Sequence, residues 1–121
     1  MTVVLLRHAS AGNRKKWKGD DRLRPLDDRG WEQAHAAAAQ LHMLGVRRAV
    51  SSPYVRCVQS LQPLGLPIEE DARLAEGACR KDALELLESL DDAVACTHGD
   101  VVELLLGRPL KKGEFVLVTG G

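Results

Sequence analysis

Across 121 residues, 17 Lys and Arg balance 17 Asp and Glu, and 45% of the side chains are hydrophobic, enough for the core of one domain over residues 1–121 but not for a second. That balance leaves no global field to draw in nucleic acid or a membrane surface, so any positive potential is local. No apolar run is long enough to span a bilayer, no charged leader precedes a cleavage site, and Cys57, Cys79 and Cys96 lack the CxxC spacing of a zinc knuckle or the even count of a disulfide framework, so the expected setting is cytoplasmic.

The first predicted strand, Val3-Val4-Leu5-Leu6, runs straight into Arg7-His8. Residues 11–25 follow as a polar, basic loop without helical periodicity. Its run Arg14-Lys15-Lys16-Trp17-Lys18 interleaves an aromatic with cations, and it reads as a solvated loop or as a rim that recruits an acidic substrate. Asp27 is the expected N-cap of the next helix, with Leu26 and Trp31 as its hydrophobic staple. Trp31, Ala34, Ala38 and Leu41 recur at helical spacing until Gly45 ends the helix. His35 and His42 lie on that helix and carry no assigned role. Residues 48–51 form a second short strand, after which Ser52, with Pro53 at the first helical position, starts a helix toward Gln62. A third strand is expected over 67–70, and a third helix over 81–90 with Leu84, Leu87 and Leu90 inward. A buried strand over 93–97, a fourth helix over 100–106 and a last strand over 114–118 complete the chain. Strands alternating with helices imply an α/β protein, a three-layer α/β/α sandwich with a largely parallel central sheet.

The buried strand over 93–97 delivers His98-Gly99-Asp100 just as the first delivers Arg7-His8, and between them Ser51-Ser52-Pro53-Tyr54-Val55-Arg56 breaks out of the second strand. Ligands of open α/β sheets bind beyond the carboxyl ends of the strands, so Arg7, His8, Arg56 and His98 are expected to meet in one pocket. Two histidines and two arginines there suit a phosphoryl group. Neutral imidazole is a nucleophile that a phosphate dianion does not repel, and guanidinium is a permanently charged fork for phosphate oxygens. His8 is assigned as the nucleophile. Arg7 and Arg56 are the expected phosphate clamps, with His98 and the helix-start amides after Gly99 stabilising charge in the transition state. His8, His98, Asp100 and Cys96 can be drawn as a metal set, but fixed cations at Arg7 and Arg56 argue against one, and no metal or organic cofactor is expected.

The segments LLRHA, GDDRLRPLDDRG, SSPYVRCVQS, RLAEG and CTHGD resemble, in order and spacing, the histidine phosphatase superfamily with its phosphoglycerate mutase-like fold. Over nearly the whole chain the resemblance is nearest to the SixA-like phosphohistidine phosphatase branch, and to the histidine-phosphatase domain that follows a MutT-type Nudix domain in some actinobacterial proteins. It implies hydrolysis through a phosphohistidine on His8, with Glu76 where the family carries its general acid and Arg24 in a segment flanking the pocket. Ala9 stands where the family often has glycine. Only 21 residues separate Glu76 from His98, which is short for the family and leaves nothing from which to build a cap. An open, shallow site follows, with Lys15, Lys16, Trp17, Lys18 and Arg24 as its expected rim. The expected partner is a bulky phosphorylated substrate, a phosphohistidine-bearing protein first and a nucleotide or other small phosphomonoester second. A phosphate-binding module without turnover is the rival of another class.

Overall fold

In a computed structural model, which describes residues 2–118, five strands and four helices alternate along the chain. The strands are β1 (Val3–Arg7), β2 (Arg48–Ser51), β3 (Ile68–Glu70), β4 (Ala93–Thr97) and β5 (Phe115–Leu117), and they lie in the sheet order β3-β2-β4-β1-β5. All neighbours pair in parallel except β5, which closes the β1 edge antiparallel. The helices are α1 (Asp28–Met43), α2 (Val55–Leu61), α3 (Arg80–Glu88) and α4 (Gly99–Leu106).

Strand alternation divides the core between two faces. Val4 and Leu6 of β1, with Val94 and Cys96 of β4, pack under Ala37, Ala38 and Leu41 of α1 and Cys57 and Leu61 of α2. The intervening residues Val3, Leu5, Ala93 and Ala95 pack under Leu86 and Leu87 of α3 and Val102 of α4. β1 and β4 are therefore apolar up to their last residues, Arg7 and Thr97, as strands covered on both sides must be. The result is the expected three-layer α/β/α sandwich.

Asp27 is the N-cap of α1 as its sequence indicates: its Oδ1 accepts from the Gly30 N–H at 2.8 Å, while Oδ2 accepts from Ser10 Oγ at 2.8 Å and the Gly12 N–H at 2.9 Å. One carboxylate thus starts the helix and ties it to the loop that leaves β1. Leu26 and Trp31 meet in the same small cluster as Ala9, Ala11 and Ala34. Gly45 ends the helix at a φ of +76°, the left-handed conformation that glycine adopts without cost.

The structure departs from expectation at three places. Pro53 is not the first residue of α2, which begins at Val55, because Tyr54 is extended and leaves the helical path between them. On α3 the buried positions are Ala83, Leu86 and Leu87, with Leu90 just beyond the helix, while Leu84 is only half-buried. The loop over 11–25 contains a turn of 3₁₀ helix, Asp21–Leu23, capped by Asp20. A Cβ at Gly30 would overlap the Ser10 carbonyl oxygen, which also accepts from the Asp27 N–H. Gly30→Ala is expected to destabilise the protein by on the order of 3 kcal/mol, measured by urea unfolding, and it should loosen the loop after β1.

Candidate active site

Parallel pairing sets Arg7 of β1 against Thr97 of β4, and Ser51 of β2 against Cys96. Each ladder continues one residue past the strands, with the His8 N–H donating to the Thr97 carbonyl and the Ser52 N–H to the Cys96 carbonyl, both at 3.0 Å. Arg7-His8, Ser52 and His98 therefore leave the sheet along the same edge. His8 and His98 meet edge to face with ring centroids 5.4 Å apart.

The tautomer of His8 is fixed by its neighbour. Nδ1 lies 2.8 Å from the Ala9 carbonyl oxygen, which only accepts, so the ring proton sits on Nδ1 and the lone pair on Nε2. Burial foremost, followed by the electrostatic influence of His98, Arg56 and Arg7, lowers the His8 pKa to about 3 even though the Ala9 carbonyl pulls it up. The imidazole is thus neutral near neutral pH. As pH falls from the ordinary histidine value toward 3, the unfolded chain takes up a proton that the folded one refuses, so stability declines across that window by at most about 1.4 kcal/mol per pH unit. Ring ¹⁵N shifts should show His8 neutral and Nδ1-protonated at pH 5; a protonated ring at pH 5 would contradict this.

His98 is held by β2. Its Nε2 lies 2.8 Å from Ser52 Oγ and 3.6 Å from Cys57 Sγ, and Ser52 Oγ also accepts from the Tyr54 N–H at 3.2 Å. Because Ser52 Oγ already accepts from the Tyr54 N–H, its hydroxyl proton is free to go to Nε2, and in that tautomer His98 carries its own proton on Nδ1. The Tyr54 ring packs edge-on to His98 at 4.6 Å and lies 4.9 Å from the Arg56 guanidinium carbon, a cation–π contact inside the site.

The two arginines follow one plan. Arg7 Nη1 donates to the Leu110 carbonyl at 2.7 Å, and Arg56 Nη1 to the Asp21 carbonyl at 2.8 Å. Arg56 Nη2 adds a 3.0 Å bond to Asp21 Oδ2 and lies 3.6 Å from Glu76 Oε1. A Cβ on Gly99 would stand 3.0 Å from the Arg7 Cζ and Nη2, so glycine lets that guanidinium lie across the start of α4. Among the described residues, the buried side-chain nitrogens without a hydrogen-bond partner are Arg7 Nε, Arg56 Nε and His98 Nδ1. An unpaired buried donor costs about 1–3 kcal/mol. The three belong to residues gathered around His8 and leave hydrogen-bonding capacity there unmet.

Arg7, His8, Arg24, Glu76 and Gly99 line a cavity of about 490 Å³, together with the exposed residues Arg14, Asp100 and Lys112. Arg56 and His98, almost wholly buried, stand outside that lining. Only residues 77–79 separate Glu76 from α3, so no element from that side covers the mouth. Arg24 is buried, donating to the Ala11 carbonyl and, at 2.9 Å, to Asp21 Oδ1. Glu76 accepts from Arg14 Nη2 at 2.7 Å.

The basic run departs from expectation. Lys15, Lys16, Trp17 and Lys18 are exposed and do not line the cavity. Lys16 and Trp17 fold back onto the Asn13 carbonyl, and the Trp17 indole N–H donates to the Asp20 carbonyl at 3.0 Å. This self-closed turn sends only Arg14 inward.

Asp21, Ser52 and Tyr54 are site residues that sequence reasoning leaves unassigned. Ser52 reads as a helix cap, and its histidine partner lies 46 positions away. For Asp21 the only signal is a carboxylate embedded among arginines. Among the described residues, no three His, Cys, Asp or Glu side chains are grouped to hold a metal ion, and no helix is long and apolar enough to cross a membrane.

A doubly covered, mostly parallel sheet thus carries two histidines and two arginines at its carboxyl edge. Residues 3–82 match the Histidine phosphatase superfamily (branch 1), and the chain belongs to that superfamily. It is similar to the 8-oxo-(d)GTP phosphatase of Mycolicibacterium smegmatis, with 39% identity over 116 residues. The match covers 87% of this chain and 36% of that protein, so the chain spans about a third of the relative's length. Among solved structures it resembles a candidate phosphohistidine phosphatase SixA from Agrobacterium tumefaciens (TM-score 0.76, 19% identity, 96% of this chain and 89% of that one). It also resembles a protein histidine phosphatase SixA complexed with tungstate (TM-score 0.74, 21% identity, 97% and 94%) and a mycobacterial glucosyl-3-phosphoglycerate phosphatase in complex with VO3 (TM-score 0.72, 19% identity, 94% and 90%). Likenesses at this identity establish the phosphoglycerate mutase-like fold.

Proposed function

We propose that this chain hydrolyses a phosphoryl group through a covalent phosphohistidine on His8, without metal. The observation that carries the reading is the set of three unpartnered buried donors, Arg7 Nε, Arg56 Nε and His98 Nδ1, around a neutral imidazole. The Nε2 lone pair attacks phosphorus and the bond to the leaving group breaks, its electron pair going to the leaving atom, which takes a proton from Glu76. Water then attacks phosphorus and loses a proton to Glu76, and the P–N pair returns to Nε2. The two guanidiniums and His98 meet the charge that builds on the phosphoryl oxygens.

The preferred substrate is a phosphohistidine-bearing protein. Two observations support this: the mouth is open and set with exposed charges, and no aromatic side chain lines it to stack a base. A nucleotide is the second reading, favoured by the 39% identical relative, whose name is that of a nucleotide phosphatase. A comparison of phosphohistidine protein, nucleoside phosphates and a sugar phosphate decides between them. Preference for the sugar phosphate would overturn both, and absence of turnover on every substrate would leave a binding module. Turnover should persist in a chelator, and vanadate or inorganic phosphate should inhibit it.

In a single-turnover measurement of phosphoryl transfer to His8, Glu76→Gln should slow an alkyl phosphate by about two to four orders of magnitude but barely change an activated aryl phosphate or phosphohistidine, because good leaving groups need no proton. Equal losses of that first step on all substrates would assign Glu76 to binding rather than to protonation of the leaving group.

A further inference from the structure

Arg56 is fully buried, yet its guanidinium is oriented by a residue of the loop before α1, far from it in sequence. Asp21 takes the end of the fork twice: its main-chain carbonyl accepts from Nη1 at 2.8 Å, and its Oδ2 accepts from Nη2 at 3.0 Å. Its other oxygen, Oδ1, accepts from Arg24 Nε at 2.9 Å and lies 3.6 Å from Arg14 Nε. With its end occupied, Arg56 has its side edge left to offer, where Nε is buried and unpartnered. We propose that Asp21 is a positioning residue for phosphoryl transfer, clamping Arg56 end-on so that its Nε edge is presented to the phosphoryl group. The proposal rests on the reading of Arg56 as a phosphate clamp.

Burial raises the Asp21 carboxyl, but the Arg24 hydrogen bond and the charges of Arg56, Arg24 and Arg14 outweigh it and hold the group below the usual carboxylate range. It is therefore a fixed negative charge at the back of a site built for a dianion. That placement opposes ground-state binding of phosphate. It pre-sets the geometry needed when charge spreads over the phosphoryl oxygens, and catalysis gains only from interactions stronger in the transition state.

The two roles of Asp21 move two measurements in opposite directions. Removing its charge should tighten inhibition by inorganic phosphate by about three- to tenfold. Releasing Arg56 should at the same time lower kcat by about 10- to 100-fold. Asp21→Asn keeps one acceptor oxygen and should lose less kcat than Asp21→Ala, while both bind phosphate more tightly. The Arg56 Nε–H resonance, slow to exchange in a doubly anchored guanidinium, should exchange faster in Asp21→Ala. A merely structural Asp21 would weaken phosphate binding and kcat together, with a lower melting temperature, and that pattern overturns the proposal. Unchanged kcat and unchanged Arg56 exchange overturn it as well. A wild-type protein that neither turns over nor is bound by phosphate overturns the phosphatase reading itself.

Discussion

His8→Ala should abolish turnover, with an expected loss on the order of 10⁴- to 10⁶-fold, and it should remove the phosphoryl group that acid-labile, base-stable trapping is expected to find on the wild-type enzyme. The size of the effect follows from the geometry. His8 is the imidazole whose Nδ1 proton is committed to a main-chain carbonyl and whose Nε2 is left with a lone pair, and burial keeps it neutral. His98 is disposed the opposite way. Its Nε2 faces Ser52 Oγ, and its Nδ1 is an unpartnered donor, so it supplies a proton to an oxyanion rather than a pair to phosphorus. His8→Asn serves as the packing control, since its amide can still donate to the Ala9 carbonyl but has no nucleophilic nitrogen. It should fold, lose turnover, and flatten the decline in stability between neutral pH and pH 4, because the buried histidine behind that decline is gone. Rapid acid quench followed by peptide mapping makes the decisive measurement. A label on His98, or an active His8→Ala, would reverse the assignment of the two histidines.

Much of this arrangement was legible because strand order and pocket position are coupled in α/β sheets. Two apolar runs ending in histidine locate β1 and β4, and the rule that ligands bind at carboxyl ends brings Arg7, His8 and His98 together without coordinates. Asp27 and Gly45 could be read because caps are local, each obeying a rule that spans only a few residues. What stayed hidden depends on long-range contact. Ser52 reads as a helix cap, but its hydroxyl also meets His98, 46 positions away, and α2 starts only at Val55. The loop over 11–25 misled in a similar way. Its cations are conspicuous in sequence, but Lys15, Lys16 and Lys18 lie on a turn that closes on itself, and of the run over 14–18 only Arg14 reaches the cavity. Asp21 is indistinguishable in sequence from its neighbour Asp20, which caps the 3₁₀ turn and pairs with Arg22 in solvent. One residue's difference in phase decides which carboxylate faces Arg56.

Arg56→Lys should lower kcat/KM by about 10²- to 10³-fold although it preserves the charge. The guanidinium does three things at once: Nη1 and Nη2 hold the Asp21 main chain and carboxylate, the central carbon stands over the Tyr54 ring, and Nε remains as a donor. An ammonium is a point charge with three rotatable donors, so it can replace the charge but not the simultaneous anchoring and aim. The loss should appear mainly in kcat, because a lysine still attracts a phosphate dianion into the cavity, where Arg7 also stands. Stability should change much less than activity. Asp21 is a third exposed and keeps Arg24 as a partner, so water and that second arginine compensate its carboxylate. Replacement by methionine is the contrasting case, removing the charge from a wholly buried position while leaving the Asp21 carbonyl without its donor, and it should cost both turnover and melting temperature. Steady-state kinetics on one activated aryl phosphate, with thermal melts of the two variants alongside, separate these outcomes. A lysine variant within threefold of wild type would show that charge alone suffices at position 56, and that the directed Nε donor contributes nothing to phosphoryl transfer.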